Sequence, residues 1–180
     1  TLVVPMIVGG CVMVFGLGYK KARVMSWLDA LIDPLQGSYQ VKQAALTLGS
    51  GGVFGAGLGE GRQKLFFLPY PHTDFAFATI GEELGLVGLA ILLGAYFYLL
   101  KRGLAIAMDQ SDRFGFLLAS GLTLLLFVNI ALNIAVVLAI LPVTGLPLPF
   151  MSYGGSSLLI SSMAVGLLLN LSRREVAAHA

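Results

Sequence analysis

The chain has 180 residues, 57% of them hydrophobic and 11% charged, against roughly 25% charged in soluble domains; its mean hydropathy is +0.89. That balance excludes a soluble globular domain and predicts an integral membrane protein. A formal net charge of +2 with no basic run interleaved with aromatics excludes a nucleic-acid partner, and the single cysteine, Cys11, can build neither a disulfide framework nor a cysteine metal site.

A bilayer core takes about 20 apolar residues of helix, so the charge-free or charge-poor apolar windows predict an all-α polytopic fold of about four spans, at 1–19, 74–101, 114–141 and 154–172. The first starts at Thr1 in place of an initiator Met. No charged n-region precedes it and no small-residue cleavage site follows, so it is not read as a signal peptide; the sequence reads as the C-terminal piece of something longer. Residues 20–73 form a large loop expected to contain short helices. Within it, Val41, Ala44, Ala45 and Leu48 recur at helical spacing, predicting an amphipathic helix over Ser38–Leu48. Asp33-Pro34 and Gly49-Ser50-Gly51-Gly52 bracket that helix as breakers.

The glycine-rich stretch GVFGAGLGEGRQK follows. It matches neither the G-x-x-x-x-G-K-[ST] nor the G-x-G-x-x-G spacing, which rejects nucleotide binding. Two readings stay open for it: a tight turn returning the loop to the second span, or backbone amides facing a phosphate, with Arg62 and Lys64 beside them.

Acid at the mouth of a membrane span is costly, about 2.5 to 3.5 kcal/mol at mid-membrane, and marks a functional candidate. FFLPYPHTDFAFATIGEELG places Asp74, Glu82, Glu83 and His72 at such a mouth. Thr73 or Asp74 can also serve as a helix N-cap. Asp74, Phe77, Ala78, Gly81, Glu82 and Gly85 share one helical face, with Asp74 and Glu82 roughly 12 Å apart. That is too far for a close carboxylate pair, so Asp74 is the better candidate base and Glu82 or Glu83 the better anchor. Gly81 and Gly85 form a small-xxx-small pair that lets another helix approach closely. His72 suits a proton shuttle or a metal ligand but has no ligand-spaced partner.

Asn129 and Asn133, four apart in the third span, need an interhelical partner or a polar cavity. The turn LPVTGLPLPFMSYGGSS, broken by Pro142, Pro147 and Pro149, is tolerated at depth only against protein or water and is expected to wall a shared cavity. Lys101, Arg102, Arg113, Arg173 and Arg174 put the 102–113 loop and the 173–180 tail on the cytoplasmic side. The 20–73 loop and the 142–153 turn then lie outside.

HTDFAFATIGEELG, SYQVKQAALTLGSGGVFGAGLGEGRQKLFFLP and NIAVVLAILPVTGLPLPFMSYGGSSLL, in this order and spacing, resemble the SEDS family of FtsW, RodA and SpoVE proteins over nearly the whole chain. GEGRQKLFFLP and PFMSYGGSSLL look more like the FtsW branch than the RodA branch. The resemblance implies the C-terminal portion of a ten-span fold in the bacterial cytoplasmic (inner) membrane. It also implies a peptidoglycan glycosyltransferase that polymerises lipid II on the extracytoplasmic side with a class B penicillin-binding transpeptidase, in division or elongation. The family's essential aspartate matches Asp74. The family often has Pro-Glu before HTDF, whereas here Pro69 is followed by Tyr70 and Pro71, so no role for that glutamate carries over.

Glycan synthesis from a lipid-diphosphate sugar needs the acceptor hydroxyl deprotonated and the leaving diphosphate neutralised. Asp74 suits the first task; Arg23, Arg62 and Lys64 suit the second. A divalent cation, magnesium or manganese, held partly by Asp74 is a competing or additional arrangement. Candidates for contacting substrate are Arg23, Gln40, Arg62, Lys64, His72, Thr73, Glu82, Asn133 and Ser152. Two other functions fit the same residues: a flippase for the lipid-linked precursor, and a scaffold that only recruits the transpeptidase.

Overall fold

The structure, a computed structural model, describes residues 25–29, 31–33, 38–60 and 75–178, with side chains through Arg173. Among the described residues there is no strand. The main helices are α1 (Tyr39–Ser50), α2 (Ala76–Met108), α3 (Arg113–Val137) and α4 (Gly155–Ala178). Three stretches are long and apolar enough to cross a membrane: Ala76–Met108, Arg113–Val137 and Gly155–Arg173. The predicted first span, 1–19, lies outside the described residues.

Helix ends differ from span ends for a physical reason. Charge stops a span, yet it does not stop a helix, and α2 runs on through the exposed Lys101 and Arg102 to Met108. Its 33 residues make about 50 Å of helix, against a hydrocarbon core of about 30 Å. The predicted 102–113 loop therefore shrinks to Asp109–Asp112. Asp112 caps α3 by accepting from the Gly115 amide at 3.0 Å, which satisfies one of the first-turn donors. At its other end α3 stops at Val137, four residues before the predicted Leu141. The Ile140 amide returns to the Ala135 carbonyl at 2.8 Å and the Ala139 amide to Val136 at 3.0 Å, around Ala139 at φ 62°. These are the two bonds of a Schellman stop, built here on alanine rather than glycine.

α3 stands between α2 and α4, and the latter two touch each other little. Two apolar clusters hold the bundle. Toward the basic end, Ala107, Ala119, Leu126, Ala164, Leu168 and Leu171 pack together. Toward the opposite end, Phe75, Phe77, Leu92, Tyr96, Ile130, Val137 and Leu148 pack with Ala44 of α1. The outward faces are as apolar as the core: Ile91 is 70% exposed, Phe97 71% and Leu117 66%. Such contiguous apolar surface is matched by lipid tails or by further protein, and not by water.

α1 forms where the periodicity predicts it, within two residues at either end, and buries Val41, Ala44 and Thr47. It lies against α2 and α3 at the end opposite Lys101, Arg102 and Arg173.

Candidate functional site

The end of the bundle that carries α1 is assembled from interrupted backbone. The main interruption is in α2, where Gly85 has φ 67° and ψ −164°, a region open essentially to glycine alone. In an unbroken helix the amides of Leu86 and Val87 would bond the carbonyls of Glu82 and Glu83, four residues back. Instead, Leu86 donates to Gly52 O at 3.0 Å and Val87 to Val53 O at 3.2 Å. The vacated carbonyls accept from the loop after α1: Ala56 donates to Glu82 O at 2.8 Å and Gly57 to Glu83 O at 3.1 Å. Two helical bonds are thus exchanged for four bonds to a glycine loop, and these four backbone groups freed at the break are all engaged, as an apolar setting requires.

The contact is as close as backbone permits. A Cβ on Gly51 would overlap the Gly81 carbonyl, one on Gly55 (φ +82°) the Glu83 carbonyl, and one on Gly85 the Gly55 amide. A Cβ on Gly81 would come within 2.6 Å of Leu48 Cδ1. Among the described residues, the small-xxx-small pair Gly81 and Gly85 receives α1 and its glycine loop. Phe77, Ala78, Gly81, Glu82 and Gly85, the described members of the predicted face, are all buried, as are Phe75, Ala76 and Thr79 around them.

The glycine stretch behaves as a return toward α2. The amides of Gly55, Ala56, Gly57 and Glu60 are all engaged by backbone carbonyls, so those four are not presented to a phosphate.

The second interruption is the 138–154 turn. Pro149 is buried, and its carbonyl accepts from the Tyr96 hydroxyl of α2 at 2.6 Å. Asn133, 1% exposed, donates through Nδ2 to Leu146 O at 2.7 Å. One partner of this amide is therefore the turn's backbone. Ser152 closes the turn on itself, its Oγ accepting from Leu148 N at 2.7 Å and its amide donating to Leu148 O at 3.0 Å. Phe150 between them takes φ 65°. The Trp27 indole donates to Ile140 O at 3.2 Å. Gln40 lines a small cavity of about 80 Å³ with Trp27, Ser38, Pro142 and Val143.

Of the candidate residues named from sequence, the structure brings Gln40, Asn133 and Ser152 to the 138–154 turn and buries Glu82, 3% exposed, beside the α2 break. Asp74, Arg23, Arg62, Lys64, His72 and Thr73 lie outside the described residues. Phe75, which follows Asp74 in the chain, is 1% exposed at the start of α2. Among the described residues no group of three or more His, Cys, Asp or Glu comes together that could hold a metal ion.

The cell cycle protein family of FtsW, RodA and SpoVE matches residues 1–177. The chain belongs to that family. It is 46% identical over 166 residues, 92% of its length and 45% of the relative's, to the probable peptidoglycan glycosyltransferase FtsW of Geobacter sp. (strain M18). It is 45% identical over 89% of its length, and 44% of the relative's, to the stage V sporulation protein E of Bacillus subtilis. It is 47% identical over 85%, and 42% of the relative's, to the peptidoglycan glycosyltransferase MrdB of Escherichia coli. The chain spans under half the length of these curated relatives. A solved structure on the coordination of polymerization and crosslinking by a peptidoglycan synthase complex matches 97% of the chain and 47% of that chain, with a TM-score of 0.72 and 32% identity.

Several residues that organise this FtsW/RodA/SpoVE chain were not singled out from sequence. Tyr96 is one: a phenol deep in an apolar run needs a partner for its hydroxyl, which is a readable signal. Gly55 is another, but its partner lies on a different element and nothing local reports it. Trp27 is the third, its indole reaching a carbonyl 113 positions away.

Proposed function

We propose that the whole protein is a peptidoglycan glycosyltransferase that polymerises lipid II into glycan strands at the outer face of the bacterial cytoplasmic membrane. The observation that carries this reading is 46% identity over 92% of the chain to a protein named for that activity, supported by the fold match to a peptidoglycan synthase complex. In the reaction the acceptor's 4-hydroxyl attacks the anomeric carbon of the donor sugar. The new bond is the glycosidic C–O; the bond broken joins that carbon to the diphosphate, which leaves with its polyprenyl chain. Asp74 takes the hydroxyl proton as general base. Arg23, Arg62 and Lys64 are the cations that neutralise the leaving diphosphate.

A magnesium or manganese ion held partly by Asp74 would supply further charge to the diphosphate. Gln40, Asn133 and Ser152 gather at the 138–154 turn, and that turn is the described wall against which His72, Thr73 and the sugar chain are proposed to lie. Glu82 anchors the mouth of α2. A class B penicillin-binding transpeptidase is the proposed partner, joining the strands that this protein extends. Phe114 to Ser172 contains no charged residue, so the stretches of α3 and α4 between Arg113 and Arg173 give a flipped diphosphate no cation to follow, which favours polymerisation over flipping.

The test is lipid II polymerisation by the purified whole protein carrying Asp74→Asn. The variant folds, binds its transpeptidase and makes no glycan. Near-normal glycan from it removes the base and the metal-ligand roles together.

A further inference from the structure

The glycine loop after α1 and the break in α2 exchange bonds atom for atom, and this exchange has a function of its own. Glu82 O and Glu83 O are the acceptors that a continuous helix would give to Leu86 N and Val87 N; the structure gives them to Ala56 N and Gly57 N. Closing the helix therefore expels the loop, and seating the loop opens the helix. The two arrangements use the same carbonyls and exclude each other. The selector is Gly85, whose φ of 67° and ψ of −164° no alanine adopts without strain. Gly55 is its counterpart, at φ +82° with no room for a Cβ against the Glu83 carbonyl.

The seam also sets where the chain between its two anchors begins and ends. Gly57 is fixed to Glu83, and Phe75 begins the same helix. Eight residues of helix place those anchors about 12 Å apart, although the seventeen residues from Leu58 to Asp74 could reach roughly 55 Å when extended. Arg62, Lys64 and Asp74 all belong to that stretch. With the seam open, Gly57 loses its place on α2, the helix that Asp74 precedes in the chain.

We propose that Gly55 and Gly85 are positioning residues for glycosyl transfer: the seam they permit holds the outer turns of α2 and the loop after α1 in the register that the reaction needs. The inference rests on the reading of Asp74 as the base. It assigns the glycines no contact with substrate, and it separates them from glycines that merely pack. Gly49, in α1, has open space where its Cβ would be and no positive φ, so Gly49→Ala serves as the neutral control.

The experiment uses the whole protein with lipid II and measures kcat and KM for Gly85→Ala, Gly55→Ala and Gly49→Ala, together with amide hydrogen exchange at Ala56 and Gly57. In Gly85→Ala the helix closes, the Ala56 and Gly57 amides lose protection, and kcat per folded molecule falls about a hundredfold, the scale of an ångström-sized misplacement, while KM stays nearly unchanged. Gly55→Ala gives the same pattern by displacing the loop, and stands in should Gly85→Ala not accumulate. Gly49→Ala matches the parent in all three readouts. A wild-type kcat with those amides exposed overturns the inference, as does a lost kcat with them still protected. Asp74→Asn in the same assay keeps the failures apart: if it polymerises normally, the function reading falls; if it is dead while Gly85→Ala is fully active, only the seam's role falls.

Discussion

The Tyr96 hydroxyl and the Pro149 carbonyl, 53 positions apart, are joined at 2.6 Å with both residues buried. The bond ties the middle of α2 to the deepest part of the 138–154 turn. Tyr96→Phe keeps the ring's packing and removes only the donor. It leaves a carbonyl buried without its partner, at a cost of about 1–3 kcal/mol. Thermal unfolding of the purified whole protein should show that loss, and limited proteolysis should cut more readily within 148–152. An unchanged midpoint would mean that this bond does not hold the turn.

α2 and α3 come into close contact at Gly103. A Cβ there would stand 2.5 Å from Thr123 Oγ1 and 3.0 Å from Cγ2. Thr123 cannot simply swing away, because it is buried and its hydroxyl is bonded to the Ala119 carbonyl at 2.8 Å. Gly103→Val therefore forces the helices apart and costs about 1–3 kcal/mol. Gly103→Ala is milder and is relieved by Thr123→Ala, which clears the colliding atoms. A double-mutant cycle on unfolding free energy should give a favourable coupling of about 1 kcal/mol; strict additivity would place the contact elsewhere.

The number and order of the described spans were legible because the signal is simple: a run without charge, long enough to cross lipid. α1 was legible for a related reason, since Val41, Ala44 and Leu48 repeat with the helix. What could not be read was every feature in which backbone meets backbone. Gly85 sits in a sequence that continues a helix smoothly, and only the loop 30 positions upstream supplies the bonds that let the helix break there. Asn133 was legible as a side chain in need of a partner, but the sequence does not say that the partner is Leu146 O. Ser152 was legible as a hydroxyl suited to substrate, but the sequence does not say that its oxygen also accepts from Leu148 N of its own turn. Lys101 and Arg102 misled in a different way. Charge locates the bilayer edge, and a helix with good formers on both sides of that edge continues past it.

Asn133 offers a test of ranking rather than of size alone. Asn133→Leu replaces the amide with an apolar side chain of similar volume and deprives the Leu146 carbonyl of its donor, costing about 1–3 kcal/mol. Asn133→Asp costs more, because it places a carboxylate against that same carbonyl in a buried site, where charge is far dearer than a missing bond. Comparing unfolding midpoints of the two variants checks the order. Should Asn133→Asp prove the more stable, the side chain must face water.

The Asp112 cap makes the sign of a neighbouring substitution depend on it. Gly115 lies in the first turn of α3 and its amide donates to Asp112 Oδ2; a Cβ at Gly115 would stand 2.5 Å from Asp112 Oδ1. Asp112→Ala alone should cost about 1 kcal/mol. Gly115→Ala alone gains about 1 kcal/mol of helix propensity but pushes the capping carboxylate off its amide, so the two effects nearly cancel. Once Asp112 is alanine there is no cap left to displace, only the flexible end of Gln110 still stands 2.6 Å from the new Cβ, and Gly115→Ala stabilises. Unfolding measurements on the two single variants and the double variant therefore show Gly115→Ala near neutral in the parent and stabilising in the Asp112→Ala background. Equal effects in both backgrounds would mean that the carboxylate does not hold the start of α3.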